Sequence, residues 1–178
     1  RDKIEEYKIN TLVPRKYGAI LSWLAADGKD EEQTDGIAAS EAIEKLDDFA
    51  NTETPFFLAV GFFRPHTPFV APKKYFDLYE REKIEIPEIS SDYLATLPEL
   101  AVKSVRAKES QLNLEKERAQ EIKEAYYATI SFVDSQVGRI LDQLESSGLD
   151  KNTVVVFTSD HGYHLGEHGH WQKNTLFE

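Results

Sequence analysis

From residue 34 onward the apolar positions alternate between periodic stretches and uninterrupted runs. Ile37, Ile43, Leu46 and Phe49 recur near helical spacing, Glu41 and Glu44 lie off that stripe, and Thr34 or Asp35 can cap the start. A helix is therefore predicted from there to about Asn51. After Pro55, residues 56–62 form a continuous apolar run of strand length, the pattern of a strand buried on both faces. Pro65, Pro68 and Pro72 then impose an extended, rigid loop over residues 64–72, and a short helix is expected over 73–79. Residues 82–113 contain Pro87 and Pro98 without a sustained period and read as a long surface connection. A second periodic stretch, Ile122, Tyr126, Ile130, Val133, Val137, Ile140 and Leu144, predicts one long helix over 114–147, with Gly148 as its stop. The β-branched run at 153–159 reads as a central strand. Residues 1–34 show no secure regular element. Helix followed by buried strand, twice, implies a layered α/β fold.

Composition narrows the chemistry. The chain has 178 residues, 32 acidic and 21 basic side chains, a net charge of -11, and neither cysteine nor methionine. The acidic excess is spread along the chain and no Lys/Arg-rich run occurs, which argues against nucleic acid as a partner; a polyanionic ligand would need a local basic pocket. Without cysteine there is no disulfide, zinc-thiolate site or thiol nucleophile within these residues. The apolar runs are too short to span a membrane and no signal-type segment opens the sequence. A start at Arg1 without methionine, and a stop at Glu178 just after a motif-dense loop, lead to the expectation of an internal fragment.

That loop holds four of the five histidines within ten residues, His161, His164, His168 and His170, directly after the second apolar run. Its glycines favour a bent backbone that presents side chains rather than a helix, and ligands of open α/β sheets gather at strand C-terminal ends. Asp160, the first acid after the run, is read either as a metal ligand or as a cap of the following turn. His161 would share its coordination sphere or orient a carboxylate through a ring N–H. Lys173 and His66 would supply donors to an anionic group in one pocket; the alternatives are an exposed surface lysine and a histidine bonded to a carbonyl. The spacing fits neither H-E-x-x-H nor a thiolate zinc site, and no G-x-S-x-G elbow, P-loop or dinucleotide fingerprint occurs.

Gly61-Phe62-Phe63-Arg64-Pro65-His66-Thr67-Pro68-Phe69 and Thr158-Ser159-Asp160-His161-Gly162-Tyr163-His164-Leu165-Gly166-Glu167-His168-Gly169 resemble type I sulfatases of the iduronate-2-sulfatase-like branch. The resemblance is close over 34–69 and 125–178 and loose over 1–33 and 82–113. It implies an alkaline-phosphatase-like sheet flanked by helices, present as a partial domain: residues 1–178 would be an internal part of the catalytic domain, incomplete at both ends. It also implies hydrolysis of a sulfate ester, on a sulfated small molecule or glycan, at a calcium-bound formylglycine made from cysteine. Carried over residue by residue, Asp160 and His161 would contribute to the calcium site, while His66 and Lys173 would contact the sulfate and help neutralise or protonate the leaving oxygen. His164, His168 and His170 receive no role. A periplasmic, secreted or lysosomal location goes with the resemblance.

The departures are as informative. The family's Cys or Ser followed by Pro or Ala and then Arg is missing, as is the acidic pair that completes its calcium site. Ser135-Gln136-Val137-Gly138-Arg139 has the serine-to-arginine spacing but lies within the predicted long helix and is rejected. The nucleophile and formylglycine are therefore expected upstream of Arg1, and the segment alone is expected to be inactive. Two other readings stand: a phosphodiesterase or phosphonate hydrolase of the same superfamily, and a non-catalytic metal- or anion-binding protein.

Overall fold

The computed structural model describes residues 9–13 and 21–176. The parts of the N-terminal reading at 1–8 and 14–20 lie outside the described residues. The chain divides into two units: Arg1–Trp23, Glu80–Glu124 and Thr158–Glu178 in the first, Leu24–Tyr79 and Ala125–Phe157 in the second. Each is taken by itself.

Strands β1 (Asn10–Thr11) and β2 (Ser22–Ala26) pair antiparallel, with Asn10 opposite Trp23 and Thr11 opposite Ser22. Strand β3 (Phe69–Pro72) belongs to the second unit. This corrects two expectations. The N-terminal region does contribute strands, and the proline-rich loop ends in one, in which Phe69, Ala71 and Pro72 are buried.

In the second unit helix α1 runs Thr34–Ala50, as the periodicity predicts, but buries Gly36, Ala39, Ala42 and Leu46 while Ile37 stays 50% exposed. Small residues form the buried face because the chain approaches closely there. A Cβ on Gly36 would lie 1.8 Å from the Asp30 carbonyl oxygen. Asp30, itself buried, accepts hydrogen bonds from Tyr75 (2.6 Å) and Gln136 (3.1 Å) and pairs with Lys74 (2.8 Å). Burial pushes its carboxyl up, and these partners together outweigh that and hold it below the ordinary value. Tyr75 lies on the short helix α2 (Lys73–Phe76), the expected one. Its ring leans on Phe132 at 5.5 Å, and Phe69 meets Tyr126 edge-on at 5.4 Å.

The 82–113 region is more ordered than its sequence suggests. It contains helix α3 (Glu99–Arg106), which buries Val105, and two short 3-10 turns, Tyr93–Thr96 and Glu109–Gln111, with a third, Arg81–Lys83, at its start, each closed by a local backbone hydrogen bond. The long helix α4 (Lys116–Ser146) is present as predicted. Its buried face runs through Ala119, Ile122, Ala125, Ala128, Thr129, Phe132 and Gln136, rotated from the apolar stripe, so that Ile130 is 43% exposed. Within the first unit Gln120 donates to the Ile84 carbonyl (3.0 Å), Arg81 pairs with the buried Glu124 (2.6 Å), and Trp23 donates to Glu121 (3.1 Å).

The two predicted buried strands are not strands. Residues 56–62 and 153–159 have no regular secondary structure; Phe57 is 92% exposed, Val154 88%, Val156 81% and Phe157 79%. A β-branched run becomes a strand only when neighbours supply both its ladder bonds and a face to bury against. Among the described residues nothing pairs with either run; Phe56 does stack on Phe49 at 4.5 Å. No helix among the described residues is long and apolar enough to cross a membrane.

Candidate functional site

The loop after residue 158 belongs to the first unit and is folded back on itself. His164 N–H donates to the Gln172 carbonyl (3.0 Å), Gly166 N–H to the His170 carbonyl (3.1 Å), and the Tyr163 hydroxyl to the Trp171 carbonyl (3.1 Å). The tip turns through Gly166 (φ +106°), His168 (φ +57°) and Gly169 (φ +76°), backbone angles that two glycines adopt without cost. The returning limb is anchored inward. Trp171 and Gln172 are each 2% exposed, and the Gln172 amide donates to the Val105 carbonyl at the end of α3 (3.2 Å).

Pinning 164 to 172 and 166 to 170 brings the limbs' open ends together, and Lys173 Nζ comes to 3.4 Å from His161 Nε2. His161 Nδ1 lies 2.8 Å from the Gly162 carbonyl, an acceptor only, so Nδ1 carries the proton and donates. That leaves Nε2 as a lone pair in the neutral ring, suited to an N–H of the Lys173 ammonium or to a metal. Asp160 Oδ1 accepts the His161 N–H (2.9 Å), and its Oδ2 is 3.5 Å from His161 Nε2. Asp160 thus serves as a turn acceptor through one oxygen, on a side chain that is 86% exposed. Among the described residues no group of three or more His, Asp or Glu side chains stands so as to hold a metal alone.

His164, His168 and His170 cluster behind the tip, with ring centroids 4.4 Å (164 to 170), 5.5 Å (164 to 168) and 6.0 Å (168 to 170) apart. Tyr93 hydrogen-bonds His168 Nδ1. His170 is fully buried; burial first, then the neighbouring His164 and His168, lower its pKa to about 4 against the opposing pull of Glu167. These rings support the loop. A cavity of about 220 Å³ lined by Pro87, Ile89, Gly166 and Trp171 lies beside them.

His66 belongs to the second unit, on an exposed turn flanked by cis Arg64–Pro65 and Thr67–Pro68 peptides. Its Nδ1 lies 2.7 Å from the Thr67 carbonyl and so is the protonated nitrogen, leaving Nε2 for a ligand. The structure therefore gathers Asp160, His161 and Lys173 in one cluster and gives His66 its own support. Sequence reading missed that support. Asp35, read as a helix cap, accepts the N–H groups of Phe63 and Arg64, each at 2.9 Å. The signal was an acid one residue inside the helix rather than at its cap. Gln136 and Arg139, from the rejected Ser135–Arg139 stretch, bind Asp30 and Ser40 (3.0 Å) and are structural.

With this geometry in place, the comparisons are informative. The family model described as Sulfatase matches residues 4–177. A "Sulfatase" of Formosa agariphila is 39% identical over 159 residues, covering 88% of this chain and 31% of that protein. "Iduronate 2-sulfatase" of Mus musculus is 35% identical over 168 residues, covering 86% and 30%. The solved phosphonate monoester hydrolase of Silicibacter pomeroyi superimposes with a TM-score of 0.75 at 23% identity, covering 94% of this chain and 35% of that one. This last likeness supports the alkaline-phosphatase-like fold. The chain spans about a third of the length of these relatives.

Proposed function

The chain belongs to the sulfatase family, and from that premise we propose that the whole protein containing it hydrolyses sulfate esters, on a sulfated carbohydrate or other sulfated small molecule. The observation that carries the reading is the cluster of Asp160, His161 and Lys173 on the open ends of one pinned loop. An acceptor pair beside an ammonium suits a metal and an anion held side by side.

Asp160 Oδ2 and His161 Nε2 would hold the cation, which we take to be calcium; when bound it supplies positive charge to the sulfate oxygens. The formylglycine would come from sequence outside this chain. Lys173 Nζ, beside His161 at 3.4 Å, would donate to a sulfate oxygen. His66, with Nδ1–H committed to the Thr67 carbonyl, donates from a protonated Nε2 to the sulfate or to the leaving oxygen. A phosphonate or phosphodiester reading has the likeness to the phosphonate monoester hydrolases in its favour.

The test is turnover of sulfate, phosphate and phosphonate esters by the whole protein, with Asp160→Ala and Lys173→Ala beside it. Sulfate esters should be preferred. Lys173→Ala should lose about 10²–10³ in kcat, and Asp160→Ala should lower calcium affinity. Preference for a phosphorus ester, or an Asp160→Ala protein with unaltered calcium affinity, overturns the respective assignment.

A further inference from the structure

We infer that Asp35 is a positioning residue for His66, a role that rests on the reading of His66 as a sulfate contact. Asp35 is 2% exposed, and an ionised carboxylate is costly to bury unless donors surround it. It sits one residue inside α1, yet both its oxygens turn away from the service of that helix. Oδ1 accepts the N–H of Phe63 and Oδ2 the N–H of Arg64, both at 2.9 Å, from residues 28 and 29 positions further on.

Those two amides lead directly into the His66 turn. His66 N–H donates to the Phe63 carbonyl (3.0 Å), so the residue whose amide Asp35 grips also closes the turn. Arg64, the other residue gripped, reaches across the loop: its Nε donates to the Val70 carbonyl (2.9 Å) and its Nη1 reaches the His66 carbonyl (3.5 Å). The loop is thus held at its entrance by a helix carboxylate and across its mouth by a guanidinium. The imidazole needs only the Thr67 carbonyl to fix its remaining freedom, and it has that bond. His66 is exposed, and its ring touches that of Phe63, the residue whose amide Asp35 holds (centroids 5.1 Å). Its aim depends on this backbone clamp.

Asp35→Asn is the discriminating change, since the amide keeps the shape but offers one acceptor where two N–H groups converge. The whole protein is made as wild type, Asp35→Asn, His66→Ala and the double variant, with turnover measured on the sulfate ester the wild type accepts. A displaced imidazole should lower kcat by about 10- to 100-fold, the scale of a misplacement near 1 Å, with KM changed less than about twofold. In the His66→Ala background the same substitution should change kcat less than about twofold, because the group it positions is gone. The ring nitrogen resonances of His66 give a second readout: one Nδ1–H tautomer in the wild type, mixed tautomers in Asp35→Asn. Equal losses with and without His66, or an unchanged ring spectrum, overturn the inference. If the wild type turns over no sulfate ester, the functional reading falls and the ring spectrum still decides the role of Asp35. Should Asp35→Asn fail to fold, Asp35→Glu, which keeps two acceptor oxygens but displaces them by one methylene from the Phe63 and Arg64 amides, carries the same two readouts.

Discussion

The two loops that carry the candidate residues are stabilised by opposite means. The 160–173 loop is held by its own backbone, limb against limb, and by two buried side chains on the returning limb. The His66 turn is held by charged side chains, Asp35 beneath it and Arg64 across it. A loop that hydrogen-bonds to itself can place neighbours in sequence, such as Asp160 and His161, and bring in Lys173 from the far limb. A short proline-bounded turn has too few free N–H groups to do this and borrows its rigidity from a helix.

The strongest way to break the first arrangement is Trp171→Ala. Trp171 is the largest fully buried side chain, and its removal should cost about 3–5 kcal/mol, measured by urea denaturation of the whole protein. A loss below 1 kcal/mol would mean the backbone pairing alone holds the loop.

Gly36→Ala tests the second. The added methyl meets the Asp30 carbonyl, a backbone atom that cannot rotate aside, so the first turn of α1 must shift and carry Asp35 with it. A destabilisation of about 1–3 kcal/mol is expected, together with faster amide exchange at Phe63 and Arg64. Unchanged exchange would show that Asp35 is not the clamp.

The subtlest effect is a pH dependence confined to the histidine cluster. His170 titrates at about 4 in the folded protein and near 6.5 unfolded. Between these values the unfolded chain binds a proton that the folded one refuses, so stability falls as pH is lowered from about 6.5 and levels off below about 4. His170→Phe should flatten that slope. An unaltered slope would place the acid sensitivity elsewhere.

Much of the molecule was legible without coordinates because it is local. Helices α1 and α4 follow from three- and four-residue spacing, and α2 from its place after Pro72. The loop of residues 160–173 announces itself through its glycines and clustered histidines. The same reasoning failed where the answer lay at a distance. Residues 56–62 and 153–159 have every local mark of buried strands, yet a strand is a relation between segments, and here no described segment supplies the other half. The rotation of the α4 face toward Thr129 and Gln136 has a similar cause: the buried Asp30 needs donors, and Gln136 is one that reaches it.

Amino-acid order alone determined which residues are available for chemistry, since carboxylate, imidazole and ammonium are properties of side chains, and it determined the family through two motifs. Tertiary structure decided how those residues are held. The tautomers of His66 and His161 follow from carbonyls that only the folded backbone aims, and the approach of Lys173 to His161 follows from the pairing of His164 with Gln172. Asp35 became a clamp rather than a cap because folding brought two amides from 28 and 29 residues away to its oxygens. Spacing along a chain does not encode a hydrogen bond of that range; the direction of the converging groups does.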